Sequence, residues 1–293
     1  MILVGSSKKT LLFLELPLLI YTLIFFAYPV YLLIYYSFTD FLLYKPEIKF
    51  IGFENYIKIL TGRGTFYYMN QIIYTVVVTF GSLALGMGFA LLVDYFKRHR
   101  IFQRVLSALI MMPMLLIPAA VGVTWVFMYS EYYGPFNFVL RLLGLPTKPW
   151  LYTTSSLWYV MLTDIWGWSP FVYIILLAAL QQIDPSILEA AEIDGATGFR
   201  RFLYITLPSI LPLIGIVTTI KLIDTYKEFD CLYTMTQGGP GDYSTNLNVA
   251  IYRSFYKHRD FGTACAYGVL TLIFPILIVI IYHIISKRME MRG

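Results

Sequence analysis

Apolar positions in this chain fall into long unbroken runs instead of the narrow stripe of a soluble helix or the alternation of a half-buried strand. Six runs, at 11–38, 71–93, 105–129, 157–180, 205–225 and 262–285, each reach the ~20 residues that a helix needs to cross a hydrocarbon core. The pattern predicts an all-α, polytopic membrane protein with six transmembrane helices. The first run is too long for a cleaved signal peptide and no small-x-small site follows it, so it is expected to remain as a helix. The implied organisation is a first helix with its outer loop over 1–69, a transmembrane core over 70–286 and a short tail over 287–293.

Composition sharpens this picture. The chain is 58% apolar and 13% charged, about half the ~25% charge of an ordinary soluble protein. Disorder, a collagen-like fibre and a secreted disulfide scaffold are excluded. Cys231 and Cys265 lie far apart with no metal or redox spacing, which predicts two buried thiols and no metal site. A net charge of +5 hints at nucleic acid, but the 22 Lys and Arg are scattered between the apolar runs. Lys8, Lys9, Lys97, Arg98, Arg100, Arg104, Arg200, Arg201, Lys287, Arg288 and Arg292 share the side of the N-terminus. The remainder, with Lys221 assigned to the outer end of the fifth run, are spread at about half that density on the other side. By the positive-inside rule both termini of this multi-pass protein are expected in the cytoplasm.

Pro17, Pro29, Pro113, Pro118, Pro170, Pro208, Pro212 and Pro275 fall within the runs. Broken helices persist in a bilayer where they pack on protein or line a wet cavity, so this many kinks favours a transporter over an anchor. Ser82/Gly86 and Ala84/Gly88 have the small-x-x-x-small spacing that lets helices approach closely. No repeat is visible, and the halves do not mirror each other as in many secondary transporters. The segment Gly5-Ser6-Ser7-Lys8-Lys9-Thr10 resembles the end of a phosphate loop but lacks its earlier glycine and strand. No catalytic motif is present, and hydrolysis of ATP by this chain alone is not expected.

The loop after the fourth run reads Asp184-Pro185-Ser186-Ile187-Leu188-Glu189-Ala190-Ala191-Glu192-Ile193-Asp194-Gly195-Ala196. Asp184 is a cap, Pro185 suits the first helical position and Gly195 supplies a left-handed stop. The product is a helix of ~10 residues, with Ala190 and Ala191 keeping one side low and Glu189 and Glu192 sharing a face. Such a helix suits a groove on another protein. A headgroup-resting helix is the alternative, disfavoured because anionic lipid repels the two acids.

Glu189-Ala190-Ala191, Asp194-Gly195-Ala196 and the later Ile205-Thr206-Leu207-Pro208 resemble the cytoplasmic loop of ABC importer permeases that work with an extracytoplasmic solute-binding protein. The resemblance implies the type I permease fold, with a coupling helix that docks on the ATPase through Glu189, Ala190, Ala191, Asp194 and Gly195. It also implies a second permease subunit, two ATPase subunits that bind ATP and Mg, and a solute-binding protein, with no cofactor in this chain itself. Phe229-Asp230, Thr236-Gln237-Gly238-Gly239-Pro240, Tyr252, Phe255 and Phe261-Gly262 resemble carbohydrate permeases related to the larger maltose-importer subunit. Unlike that subunit, this chain shows no extra N-terminal spans and no large outer insertion, which favours shorter six-span relatives.

Carboxylates inside spans are costly and default to functional candidates. Glu15 is near enough to an end to reach water. Asp164, Gly167, Trp168 and Phe171 share a helical stripe, and Asp224, Thr225 and Glu228 form a second. Carboxylates accept hydrogen bonds from sugar hydroxyls and aromatic faces pack on sugar C–H surfaces, and the matching positions in maltose-type relatives look like substrate contacts. A structural use stays open, with Lys221 or Lys227 neutralising Asp224 or Glu228 and Trp166 and Trp168 serving as packing. The expected function is an oligosaccharide-importing ABC permease. The alternatives are an ion-gradient-driven transporter, a permease for a sugar-like anion such as a glycerol phosphate or an acidic oligosaccharide, and a membrane assembly factor.

Overall fold

The computed structural model describes residues 8–45 and 47–290, so Gly5, Ser6, Ser7 and Arg292 lie outside the described residues. From the N-terminus the helices are α1 (Lys8–Thr22), α2 (Tyr28–Ser37), α3 (Glu54–Thr61), α4 (Gly64–Tyr95), α5 (Arg100–Met111), α6 (Pro118–Met128) and α7 (Pro135–Leu142). They continue with α8 (Ser156–Gln181), α9 (Pro185–Ile193), α10 (Gly198–Arg201), α11 (Leu207–Tyr226), α12 (Asp230–Thr236), α13 (Leu247–Tyr252) and α14 (Phe261–Glu290). Among the described residues the β-structure amounts to isolated bridges, Thr39 with Phe50 and Leu42 with Asp260.

Prolines shape these helices as expected, by two devices. Pro29 and Pro208 are each preceded by one π-helical turn, Leu23–Ala27 and Phe202–Thr206, which absorbs the missing hydrogen bond without stopping the helix. Pro113 and Pro118 act more severely. The third expected span, 105–129, is not continuous: α5 ends in a 3₁₀ turn at Met112–Leu115, Ile117 is extended (ψ 146), and the axis turns by 100° before α6. Ile117, the residue before Pro118, is driven out of the helical region as proline requires of its predecessor, whereas Met112 before Pro113 stays helical and the chain there tightens into the 3₁₀ turn.

The expected count of six spans is therefore not exact. Among the described residues, four helical segments are long and apolar enough to cross, Glu15–Ser37, Gly64–Tyr95, Ser156–Gln181 and Gly198–Tyr226, and the bent pair Arg100–Leu115 with Pro118–Met128 makes a fifth. The sixth run lies in α14, a helix of 30 residues, whose apolar part within the described residues is Phe261–Leu277.

The chain divides into two compact units, residues 1–65 with 250–293, and residues 66–249. This differs from the division at 69/70 and 286/287, because α14 packs along α2 and so joins the first span across the sequence. In the first unit, Gly268 lies against Leu33, and Gly262 lets the chain pass so close to the Thr39 carbonyl that a Cβ would sit 2.2 Å from it. Asn55 Nδ2 donates to the carbonyls of Ser37 (3.0 Å) and Thr39 (2.8 Å), Thr263 Oγ1 donates to Asn55 Oδ1, and Lys58 pairs with Asp260 at 3.1 Å. The apolar 18-residue window within Glu15–Ser37 buries 0% of its residues, although Ser37 at the end of the segment is buried, and the exposed side chains are overwhelmingly apolar. Glu15 itself is exposed.

In the second unit α4 and α8 pack side by side through glycines. A Cβ on Gly81 would lie 2.4 Å from Ile165, and one on Gly86 would lie 2.7 Å from Val172 and 2.9 Å from the Ser169 carbonyl. Of the two small-residue pairs, Ser82/Gly86 is thus used for close approach, whereas Gly88 faces open space. Two apolar clusters occupy the ends of this pair. One gathers Tyr74, Val78, Val160 and Met161 with Cys231 and Leu232 of α12, the other Ala90, Val93, Val172 and Leu176 with Ile210 and Val217 of α11. The polar middle of α8 is left between them.

Candidate functional site

Asp164 sits in that middle, buried, with Oδ2 accepting from the hydroxyl of Tyr74 of α4 at 2.9 Å. Trp168 lies one turn further along α8. A charged acceptor out of water is tolerable only when such a donor satisfies it. Asp164, Gly167 and Trp168 line a cavity of about 250 Å³, faced by the Pro113–Pro118 break and by Cys231. A Cβ at Gly167 would meet nothing within 4 Å, so the glycine leaves that wall open. Phe171 does not line the cavity. It packs perpendicular to Trp168, with ring centroids 6.4 Å apart, and braces it.

The second expected stripe is divided. Helix α11 ends at Tyr226 with Lys227 as its cap, so Glu228 is not on the helical face of Asp224. Glu228 Oε1 accepts from Cys231 N at 2.8 Å at the start of α12, and its carbonyl accepts from Asn246 and Asn248. This is a capping position, and the turn at Lys227 is the reason. Asp224 lies between two lysines, 3.8 Å from Lys221 Nζ and 3.5 Å from Lys227 Nζ, as the structural alternative anticipated. Thr225 is buried, and its Oγ1 has no hydrogen-bond partner. Trp166 packs against Trp125 at 5.3 Å, the packing use left open for it.

Sequence reasoning missed Tyr74, the cavity-facing break and Cys231. It also placed Lys221 with the outer loop charges, whereas Lys221 is 1% exposed and its Nζ lies 4.4 Å from the Trp168 ring centroid. The available signals were the pair Pro113/Pro118 and a lysine one turn before Asp224. The Thr236-to-Pro240 segment forms a tightly bonded turn: Gln237 (φ 51) and Gly238 (φ 86) are left-handed. Ser156 and Ser244 donate to the Gly239 carbonyl and Thr245 to that of Gly238. Gln71 and Asn248 hold the Tyr226 carbonyl in turn. These bonds tie α8, α11 and α12 into one frame around the cavity.

At the other end of the second unit, α9 forms as its caps dictate. Asp184 accepts from Ser186 N at 2.9 Å, and this hydrogen bond holds its carboxyl below the usual range. Gly195 is left-handed (φ 76), with Ala196 N donating to Ala191 O and Gly195 N to Glu192 O, a Schellman closure. Glu189, Ala190, Asp194 and Gly195 are exposed, whereas Ala191 is buried within this chain. Glu189 and Glu192 are not a bare acidic face, because Arg201 of α10 folds back to pair with Glu192. Both acids line a groove of about 860 Å³ with Asp94, Lys97, Arg98 and Arg201.

Residues 81–291 match the family described as binding-protein-dependent transport system inner membrane component. The chain belongs to that family. It is 34% identical over 272 residues to the trehalose/maltose transport system permease protein MalF of Thermococcus litoralis, covering 91% of this chain and 90% of that one. It is 29% identical over 283 residues to the sn-glycerol-3-phosphate transport system permease protein UgpA of Pectobacterium atrosepticum, covering 94% of each. The fold matches a bacterial alginate ABC transporter solved in complex with an alginate pentasaccharide-bound periplasmic protein, with TM-score 0.81 at 22% identity over 96% of this chain and 95% of that chain. This permease is thus a membrane-embedded, non-enzymatic component of an ABC importer, and ATP hydrolysis lies in a separate subunit.

Proposed function

We propose that this permease forms half of a pathway for a neutral oligosaccharide, with a second permease subunit supplying the other half. The observation that supports this reading is the cavity where the buried acceptor Asp164 and the ring of Trp168 face a broken helix. A carboxylate there accepts sugar hydroxyls and repels an anion, while the indole face suits the C–H surface of a sugar ring. Trehalose/maltose transport by a relative at 34% identity points the same way.

In the proposed cycle both termini are cytoplasmic and α9 faces one of two ATPase subunits that carry ATP and Mg²⁺. Glu189, Ala190, Asp194 and Gly195 form the contact surface, and Ala191 seats the helix on its own chain. A loaded solute-binding protein docks on the opposite side. ATP-driven closure then moves α9, and access to the cavity alternates by a shift between pre-existing states.

The test is uptake of radiolabelled trehalose and maltose by the reconstituted importer carrying Asp164→Ala or Asp224→Ala. Asp164→Ala should lower uptake about tenfold, on the order of 1.4 kcal/mol, in a complex that still assembles. Asp224, paired with two lysines outside the cavity, should matter less. Unchanged uptake with intact assembly in the Asp164 variant rejects the site.

A further inference from the structure

We propose that Lys221 is a positioning residue for this cavity, acting through Trp168; the inference rests on the reading of the cavity as the sugar site. Lys221 is almost completely buried, and its Nζ has no hydrogen-bond acceptor. Its near neighbours are Asp224 Oδ2 at 3.8 Å, beyond hydrogen-bonding reach, and the face of the Trp168 ring at 4.4 Å. A buried ammonium without an acceptor is expensive, and an indole face is the most favourable uncharged surface on which to seat it.

The geometry works in both directions. The Trp168 ring packs against Phe171 on its own helix, with centroids 6.4 Å apart. With an ammonium on its face, the indole is fixed from α11 as well as from α8, and a wall of the cavity becomes rigid. Lys221 does not itself line the cavity. It therefore offers no donor to a substrate and acts through the ring and the surrounding field. A lysine deep in an apolar helix, set four residues before Thr225, thus faces the tryptophan of another helix as well as lying beside Asp224.

The experiment incorporates 5-fluorotryptophan into the assembled importer, reads the five fluorine resonances of this chain and assigns Trp168 with Trp168→Phe. Lys221→Met should shift and broaden the Trp168 resonance while leaving the other four in place, and Lys221→Arg, which also stacks on indole, should restore it. An unmoved Trp168 resonance in Lys221→Met overturns the proposal, as does a general change of all five. If Lys221→Met fails to assemble, the double variant Lys221→Met/Asp224→Asn, which removes the Asp224 charge together with that of the lysine, is read in the same way, and the same two results overturn the proposal.

Uptake of trehalose supplies the second arm. Lys221→Met should lower it about fivefold in the native background and less than twofold when Trp168 is already alanine, because an effect transmitted through the ring vanishes with it. Equal losses in both backgrounds overturn the route through Trp168. If Trp168→Ala leaves uptake unchanged while the fluorine shift occurs, the sugar-site reading fails and the Lys221–Trp168 positioning stands.

Discussion

The cavity around Asp164 and the helix α9 lie in the same compact unit, yet they are built on opposite principles. Every bond that defines α9 is local: Asp184 to Ser186 N, Gly195 N to Glu192 O, Ala196 N to Ala191 O. The contacts that place the charged groups of the cavity cross between helices: Tyr74 of α4 to Asp164 of α8, and Lys221 of α11 onto Trp168 of α8. The exposed helix can shift as a body without losing its own shape. The buried site changes whenever one span moves against another, which is what alternating access requires of a substrate site.

That contrast is broken most strongly at the contact between α4 and α8. Gly86→Leu would place side-chain carbon within 3 Å of Val172 and of the Ser169 carbonyl. Overpacking of this kind costs on the order of 1–3 kcal/mol. The expected result is a lowered melting temperature in detergent and lost uptake, with amide exchange in α9 unchanged. Matching loss of protection in α9 would show that the two regions are not independent.

A smaller effect is expected at Gly195. Nothing lies within 4 Å of its Cβ position, so the cost of Gly195→Ala comes from φ 76 alone, about 1 kcal/mol. Exchange of the Ala196 and Gly195-position amides should quicken, and ATPase activity should respond less to the loaded binding protein, while the Trp168 environment stays as it was. Full coupling in a variant with frayed amides would remove α9 from the transmission route.

The smallest effect is at Asp184. Its carboxyl is held below the ordinary value by the hydrogen bond from Ser186 N, so the charged form favours the folded cap. That contribution is fully present above the ordinary carboxylate range and is lost as pH falls through the lowered value. Asp184→Asn keeps an accepting oxygen and should abolish the acid-induced rise in exchange of the Ser186 amide while changing it little at neutral pH. An acid response identical to that of the native chain would mean that another group titrates there.

Legibility follows the same division. The limits of α9, its cap and its left-handed stop are readable because each depends on residues within five positions. So are the runs that become α4 and α8, since a long apolar segment has few alternatives in a bilayer. The third run reads as continuous because hydropathy is blind to a 100° turn at Met112–Ile117, though both prolines are in view. Glu192 reads as a free acid because its partner Arg201 lies beyond one helix length. Glu228 falls on the face of Asp224 because nothing in the composition marks the helix end at Tyr226.

Residue order alone establishes that the chain is helical and membrane-embedded, that it presents a short capped helix between two spans, and which charged residues are out of place. What those charges do is set by how the helices pack. Asp164 faces a cavity, Asp224 is held by lysines, Glu228 caps α12 and Lys221 rests on Trp168. A cap or a stop is settled by the backbone a few residues away. A buried charge is settled by the donors, acceptors and rings that other helices bring to it, and their register depends on how the spans pack.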